Sequence, residues 1–137
     1  MKILVGVDGS DHSYEALKYA IGEAQQKNAE LTAVLSLVET KTREEAQQHQ
    51  NTIKQTRDLM RSAGMEPDAR FLVRAGTLSA AEHIIQFAEA NGYDQIIVGS
   101  HGRTGISKIL LGSVADEVVR RARCPVTVFR RRSEDPK

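Results

Sequence analysis

Apolar residues along this chain come in short runs that alternate with longer amphipathic stretches. The first run, Ile3-Leu4-Val5-Gly6-Val7, is stopped by Asp8-Gly9-Ser10. A run that is apolar without polar alternation reads as a strand buried on both faces. Ala16, Leu17, Ala20, Ile21 and Ala24 then recur at helical spacing. Ser10 or Ser13 stands where a helix N-cap is expected, and Lys27-Asn28-Ala29 closes the segment. Residues 31–38 form the second strand pattern. Residues 41–63 are polar and Gln-rich, with Ala46, Ile53, Met60 and Ala63 as a narrow apolar stripe. The lack of Gly and Pro there favours a long outer helix over a linker.

Gly64 ends that helix and Pro67 introduces a third strand over 69–74, stopped by Ala75-Gly76. Ala80, Ala81, Ile84, Ile85, Phe87 and Ala88 give a third helix ending at Asn91-Gly92, and residues 95–98 give a fourth strand. Beyond a glycine-containing loop, Val114, Ala115, Val118, Val119 and Ala122 define the last helix. Ser113 lies three residues before Asp116, in a capping arrangement. Arg120, Arg121 and Arg123 sit at the other end, where cations suit the helix dipole. Pro125 opens a fifth strand over 126–129, and the charged tail 131–137 is expected to fray. The order β-α-β-α-β-α-β-α-β predicts an α/β fold: an open five-stranded parallel sheet with right-handed crossovers and helices on both faces. Ligands of such folds lie beyond the carboxyl ends of the strands.

At 137 residues the chain suits one domain, spanning 1–130, with a core large enough to need neither disulfide nor metal. A formal net charge of +1 gives no global field toward nucleic acid or acidic membranes. Arg130-Arg131-Arg132, beside Glu134 and Asp135, reads as a solvated run rather than a nucleic-acid contact. No apolar run approaches the roughly 18 residues of a membrane span. The N-terminus enters a strand at once, without the pattern of a signal peptide, so the expected location is cytoplasmic. The single cysteine, Cys124, reads as a small core residue. His12, His49 and His83 are expected on helix surfaces, and His101 has no evident acid or nucleophile beside it.

The candidate chemistry lies in Val98-Gly99-Ser100-His101-Gly102-Arg103-Thr104-Gly105, followed by Leu111-Gly112-Ser113-Val114. Glycine lets backbone approach an anion closely, and a helix N-terminus supplies free N–H groups and a favourable dipole. The blander reading makes Gly99, Gly102 and Gly105 turn residues and Asp8 a helix cap or turn closer. Turns explain single glycines but not the whole spacing through Gly112-Ser113.

Those residues resemble the universal stress protein family, and the likeness runs from Lys2 to about Arg130. Its most specific part is Gly99-Ser-His-Gly102, nine residues, then Gly112-Ser113, which is the ATP-binding signature of one branch. Val5-Gly6-Val7-Asp8-Gly9-Ser10, Tyr93 to Gly99 and Cys124-Pro125-Val126-Thr127-Val128 support it in register. The resemblance implies the sheet order 3-2-1-4-5. It also implies that Val7 and Asp8 border adenine and ribose, that Leu37 touches the base and that Gly99 lies against the ribose. Gly102, Gly112, Ser113 and Val114 would hold phosphates through backbone N–H groups, with the Ser113 hydroxyl as a further donor and Arg103 and Lys108 adding charge.

The implied ligand is ATP or another adenine nucleotide, with Mg²⁺ or Mn²⁺ carried mainly by the phosphates; Asp8 is the one protein group to watch as a contact, and no metal-binding residue is assigned. The chain departs from the family at Gly6, where a proline is frequent, and at Ser36, where many members have histidine. A homodimer through the fifth strand (Val126, Val128, Phe129) is also implied; physically, self-pairing covers an apolar edge. The functional expectation is a regulatory ATP-binding module with slow or no hydrolysis. A slow ATPase is the first alternative, and a ligand-free homodimeric protein is the second. No full Walker A lysine motif and no clustered carboxylates favour the enzyme reading.

Overall fold

Strand β1 (Lys2–Gly6) is the central strand of the sheet in the computed structural model, which describes residues 1–101 and 111–130. It is followed by α1 (Asp11–Lys27), β2 (Glu30–Leu37), α2 (Arg43–Ser62), β3 (Ala69–Val73), α3 (Ala80–Ala90), β4 (Gln95–Gly99), α4 (Ser113–Arg121) and β5 (Val126–Phe129). The five strands lie in the order β3-β2-β1-β4-β5, and every neighbouring pair is parallel. The sheet order implied by the sequence resemblance is therefore the one observed.

Two hydrophobic layers cover the sheet. Ile3, Val5 and Val7 point to one face, where they meet Leu17, Ala20 and Ile21 of α1 and Ile53 and Met60 of α2. Leu4, Val34, Ile96 and Val98 point to the other, where Ala81, Ile84, Ile85 and Ala88 of α3 and Ala115 and Val118 of α4 pack. A strand apolar at every position must be covered on both sides, and β1 shows why: Ile3, Leu4 and Val5 are all fully buried. The long outer helix expected over 41–63 is α2, and it buries only Thr52, Ile53, Thr56 and Met60. Its two buried threonines bond back to carbonyls one turn earlier, Thr56 to Thr52 at 2.7 Å and Thr52 to Gln48 at 3.0 Å.

Local chemistry sets the element ends. The Ser10 side chain caps α1, and Asn28 ends it in the left-handed conformation at φ 53°. Ser79 and Glu82 make a reciprocal capping box on α3. The capping arrangement expected of Ser113 is not formed. Gly112 is the N-cap, Ser113 is the first helical residue, and no side chain caps α4. The other end also differs: α4 stops at Arg121, so Arg123 lies beyond its last turn.

The amino-terminal rim of the sheet is tied by a buried polar chain. Tyr93 Oη donates to Thr32 Oγ1 at 2.7 Å, and Thr32 Oγ1 donates to Asp68 Oδ2 at 2.8 Å. The Arg70 guanidinium beside Asp68 holds that carboxyl below its ordinary value, against the opposing effect of burial. Cys124 is half-buried rather than fully enclosed, and burial raises its thiol pKa. No helix among the described residues is long and apolar enough to cross a membrane.

Gly99 closes β4 where α1 begins. A Cβ there would sit 3.2 Å from the His12 carbonyl oxygen and 3.3 Å from that of His101. Both obstacles are backbone, so they cannot rotate away. Gly99→Ala is expected to destabilise the fold by about 1–3 kcal/mol, the usual range for overpacking. Chemical denaturation of the variant beside the parent measures it.

Candidate functional site

The chain leaves β1 and β4 side by side and then diverges. The β1 connection runs to α1 and β2, whereas the β4 connection runs to α4 and β5 on the other side. Between the two carboxyl ends lies a cleft of about 190 Å³. It opens on the face covered by α3 and α4, because Gly6, Ser36 and Val98 on its floor continue the strand positions that point that way.

Its floor depends on a missing side chain. A Cβ on Gly6 would stand 3.4 Å from Ile84 Cδ1 and 3.7 Å from Val98 Cγ1, within the space the cleft occupies. The departure from the expected family pattern at Gly6 therefore leaves the floor open. Ser36 forms the β2 side of the wall, and Ile84 and Ala80 of α3 form the roof.

The turn after β1 is fastened to α1. The Asp8 N–H donates to Ser13 Oγ at 3.1 Å, and the Ser10 N–H donates to Asp8 Oδ1 at 2.9 Å. Ser13 Oγ in turn donates to the Ser10 carbonyl at 3.0 Å. Asp8 thus closes a turn and also lines the cleft, so the two readings of this residue are compatible.

The segment after β4 is fastened just as closely. The Ser100 N–H donates to the Phe129 carbonyl at 2.8 Å, and the Ser100 carbonyl accepts from the Gly112 N–H at 2.7 Å. His101 is buried on the cleft wall, 3.2 Å from Ser100 Oγ through Nδ1, with its ring edge-on to His12 at 5.6 Å.

Helix α4 presents its N-terminus to the cleft: Gly112, Ser113, Val114 and Ala115 all line it. Among the described residues no side chain caps this end, the arrangement in which first-turn N–H groups look outside the helix for partners. The helix is held in place by α3. Ser79 Oγ lies 3.1 Å and 3.2 Å from the two Glu117 carboxylate oxygens, and Arg121 Nη1 donates to Glu117 Oε2 at 2.8 Å.

Of the residues singled out in the sequence, Val7, Asp8, Gly99, Gly112, Ser113 and Val114 are gathered around this one cleft. Leu37 is not among its lining residues. It is 8% exposed and packs in the α1/α2 core, because alternation along β2 turns Leu37 to that face and Ser36 to the cleft. The Gly112 N–H, expected to face a phosphate, is already taken by Ser100. Gly102, Arg103, Gly105 and Lys108, like the tail 131–137, lie outside the described residues.

His12, His49 and His83, expected on helix surfaces, are all half-buried. Burial, and then the nearby Arg74 charge, hold the His83 imidazole below its ordinary pKa. Among the described residues no three His, Cys, Asp or Glu side chains converge as a metal cage. Asp8 is the one carboxylate on the cleft wall among them.

Sequence reasoning did not place Ser36, Ala80, Ile84 or His101 on the wall. Ile84 reads as an ordinary core position, and only the packing of α3 over β1 brings it to the cleft.

Comparison with known proteins gives the same picture. The universal stress protein family matches residues 1–130. A universal stress protein of Methanocaldococcus jannaschii is 32% identical over 95% of this chain and 82% of its own length. The structure of a universal stress protein from Archaeoglobus fulgidus superposes with a TM-score of 0.78 at 27% identity, covering 93% of this chain and 92% of that one. A structure of the Archaeoglobus fulgidus universal stress protein in complex with dAMP gives a TM-score of 0.75 at 27% identity, covering 93% of this chain and 96% of that one. The doubly covered parallel sheet, its switch-point cleft and these matches together show that the chain belongs to the universal stress protein family.

Proposed function

We propose that the cleft binds an adenine nucleotide, ATP by preference, and that the protein acts as a regulatory nucleotide-binding module with slow or no hydrolysis. The observation that carries this reading is the uncapped N-terminus of α4 on the cleft wall. Helix N-termini with free N–H groups favour phosphate through both hydrogen bonds and dipole. The Ser113 and Val114 amides and the Ser113 hydroxyl take the phosphates in this reading. Gly112 positions them, since its own N–H is held by Ser100. Gly102 and Arg103 would complete the phosphate loop. Gly99, Val7 and Asp8 border the sugar, and the base lies toward Ser36, Ile84 and Val98. The related structure with dAMP supports adenine as the base.

Mg²⁺ or Mn²⁺ travels with the phosphates. Without a protein cage among the described residues, the ion keeps waters and phosphate oxygens as its ligands, with Asp8 the nearest carboxylate. The lining of the cleft is compatible with a regulatory role. Among its described residues only Asp8 and His101 carry titratable side chains, and Asp8 is engaged in closing its turn.

The protein also pairs with itself through β5 in this proposal. That strand is an edge of the sheet, its Val126, Val128 and Phe129 are only half-buried, and Phe129 lies 5.5 Å from the exposed Tyr19 ring.

Denaturing freshly purified protein and running the supernatant on anion exchange is expected to release adenine nucleotide, and calorimetric titration of stripped protein is expected to show Mg-ATP binding. Failure of both would overturn the reading. Gly6→Val places bulk on the cleft floor and is expected to weaken Mg-ATP at least tenfold while the far-ultraviolet circular dichroism stays unchanged. Unchanged affinity would put the ligand elsewhere. Sedimentation equilibrium at micromolar concentration is expected to give the mass of two chains, and a monomer would count against the β5 interface.

A further inference from the structure

A second hollow lies on the same face of the sheet as the cleft, at the other end of the seam between α3 and α4. The cleft meets the amino-terminal ends of the two helices. The hollow, of about 290 Å³, meets their carboxyl-terminal ends, through Ala88 and Glu89 of α3 and Ala122 and Arg123 just beyond α4. No described residue lines both. We infer that this hollow is a separate binding site for a small zwitterion with an apolar body, and that an apolar α-amino acid is the class of ligand it fits. The inference is independent of the nucleotide-binding reading and stands or falls without it.

The walls are apolar and already fixed. Ile85, Ala88 and Ile96 are buried, and Ala122 packs on the same core. The Tyr93 ring forms a further wall and is held from three sides. Its Oη donates to Thr32 Oγ1 at 2.7 Å, Lys2 Nζ lies 4.5 Å from the ring centroid, and the Phe87 ring packs against it at 5.7 Å. The one aromatic side chain on the lining is therefore not free to swing in and fill the space. Cys124 adds a thiol. Burial first, and then the Asp94 and Glu89 carboxylates, raise its pKa, so the sulfur carries no charge at neutral pH. Such a lining gains from covering an apolar group and offers nothing to a charge inside it.

The charges stand at the mouth, and there are two of opposite sign. Arg123 Nε and Glu89 Oε1 face each other at 3.6 Å, too far for a good hydrogen bond, on side chains that are 85% and 44% exposed. An exposed pair this loose holds little energy, so exchanging it for contacts with a ligand costs little. A plain carboxylate drawn to Arg123 would also meet Glu89, and a plain ammonium drawn to Glu89 would also meet Arg123. Like charges brought together in this way act against binding. An α-amino acid avoids both conflicts, because its carboxylate and ammonium leave the same carbon. The carboxylate turns to Arg123, the ammonium turns to Glu89, and the side chain enters the hollow between Ile85, Ala88, Ile96 and Ala122.

The test titrates the full chain with L-leucine and follows the backbone amides by NMR. Saturable shifts are expected at residues 88–93 and 122–124 and not around Asp8 or Val114. Three comparators each lack one part of the ligand: isocaproate has no ammonium, isoamylamine has no carboxylate and glycine has no apolar body. Each is expected to bind more weakly than leucine. Arg123→Gln and Glu89→Gln alter exposed side chains, and each is expected to weaken leucine about threefold or more, the worth of an exposed charge contact. Ala122→Leu fills the hollow and is expected to abolish the shifts. If that variant does not fold, the two charge variants decide the matter. The inference is overturned by the absence of saturable shifts, by shifts confined to the cleft or by a comparator that binds as well as leucine. It is equally overturned by leucine affinity unchanged in both charge variants or in folded Ala122→Leu. Mg-ATP plays no part in the titration, so failure here leaves the nucleotide-binding reading untouched.

Discussion

A parallel sheet brings every strand-to-helix connection to the same edge, and the rest of this structure depends on that constraint. All neighbouring strands here are parallel. The connections leaving β1 and β4 therefore rise from one rim, and they part because β2 and β5 lie on opposite sides of the central pair. A gap at that switch point is a consequence of topology. The features that favour the proposed binding there are local: a glycine on the floor and, on one wall, a helix end with no side-chain cap among the described residues.

The two rims of the sheet are stabilised differently. At the amino-terminal rim, Tyr93, Thr32 and Asp68 form a closed chain of hydrogen bonds in which the donors are satisfied, and this suits a purely structural role. At the carboxyl rim the backbone does the fastening. Ser100 bridges β5 and the start of α4 through its N–H and carbonyl, while Ser13 and Ser10 bind the Asp8 turn to α1. Anchoring by backbone leaves the first-turn amides of α4 facing the cleft. The Ser79–Glu117–Arg121 group adds a side-chain tie between α3 and α4 on the same side. On the proposed reading, a ligand entering between them would meet groups that are already oriented, which lowers the entropic cost of binding.

The element order was legible in the sequence because burial on both faces leaves unbroken apolar runs such as Ile3-Leu4-Val5, and amphipathic helices leave spaced ones such as Leu17, Ala20, Ile21 and Ala24. The glycine-serine spacing also marked most of one wall: Gly99, Gly112, Ser113 and Val114 line the cleft. Reasoning residue by residue failed where alternation or packing decides direction. Leu37 and Ser36 are neighbours on one strand, yet one is core and the other is cleft wall. Ser113 followed by Asp116 has the form of a capping pair, but the chain enters α4 through Gly112, whose N–H is drawn to the Ser100 carbonyl. His83 sits on an amphipathic helix like any surface residue, and only the approach of α3 to β2 and Arg74 half-buries it.

The sequence by itself determined the succession of strands and helices, the edges at which turns fall and the family the chain resembles. Hydrophobic periodicity and turn chemistry act over a few residues, so they are written along the chain. The tertiary structure alone decided which side chains share the cleft. Ser36, Ile84, His101 and the α4 amides come from separate segments, and their convergence is set by strand register and by the depth at which α3 and α4 pack on the sheet. Those distances arise from contacts between residues far apart in sequence, which no local pattern encodes.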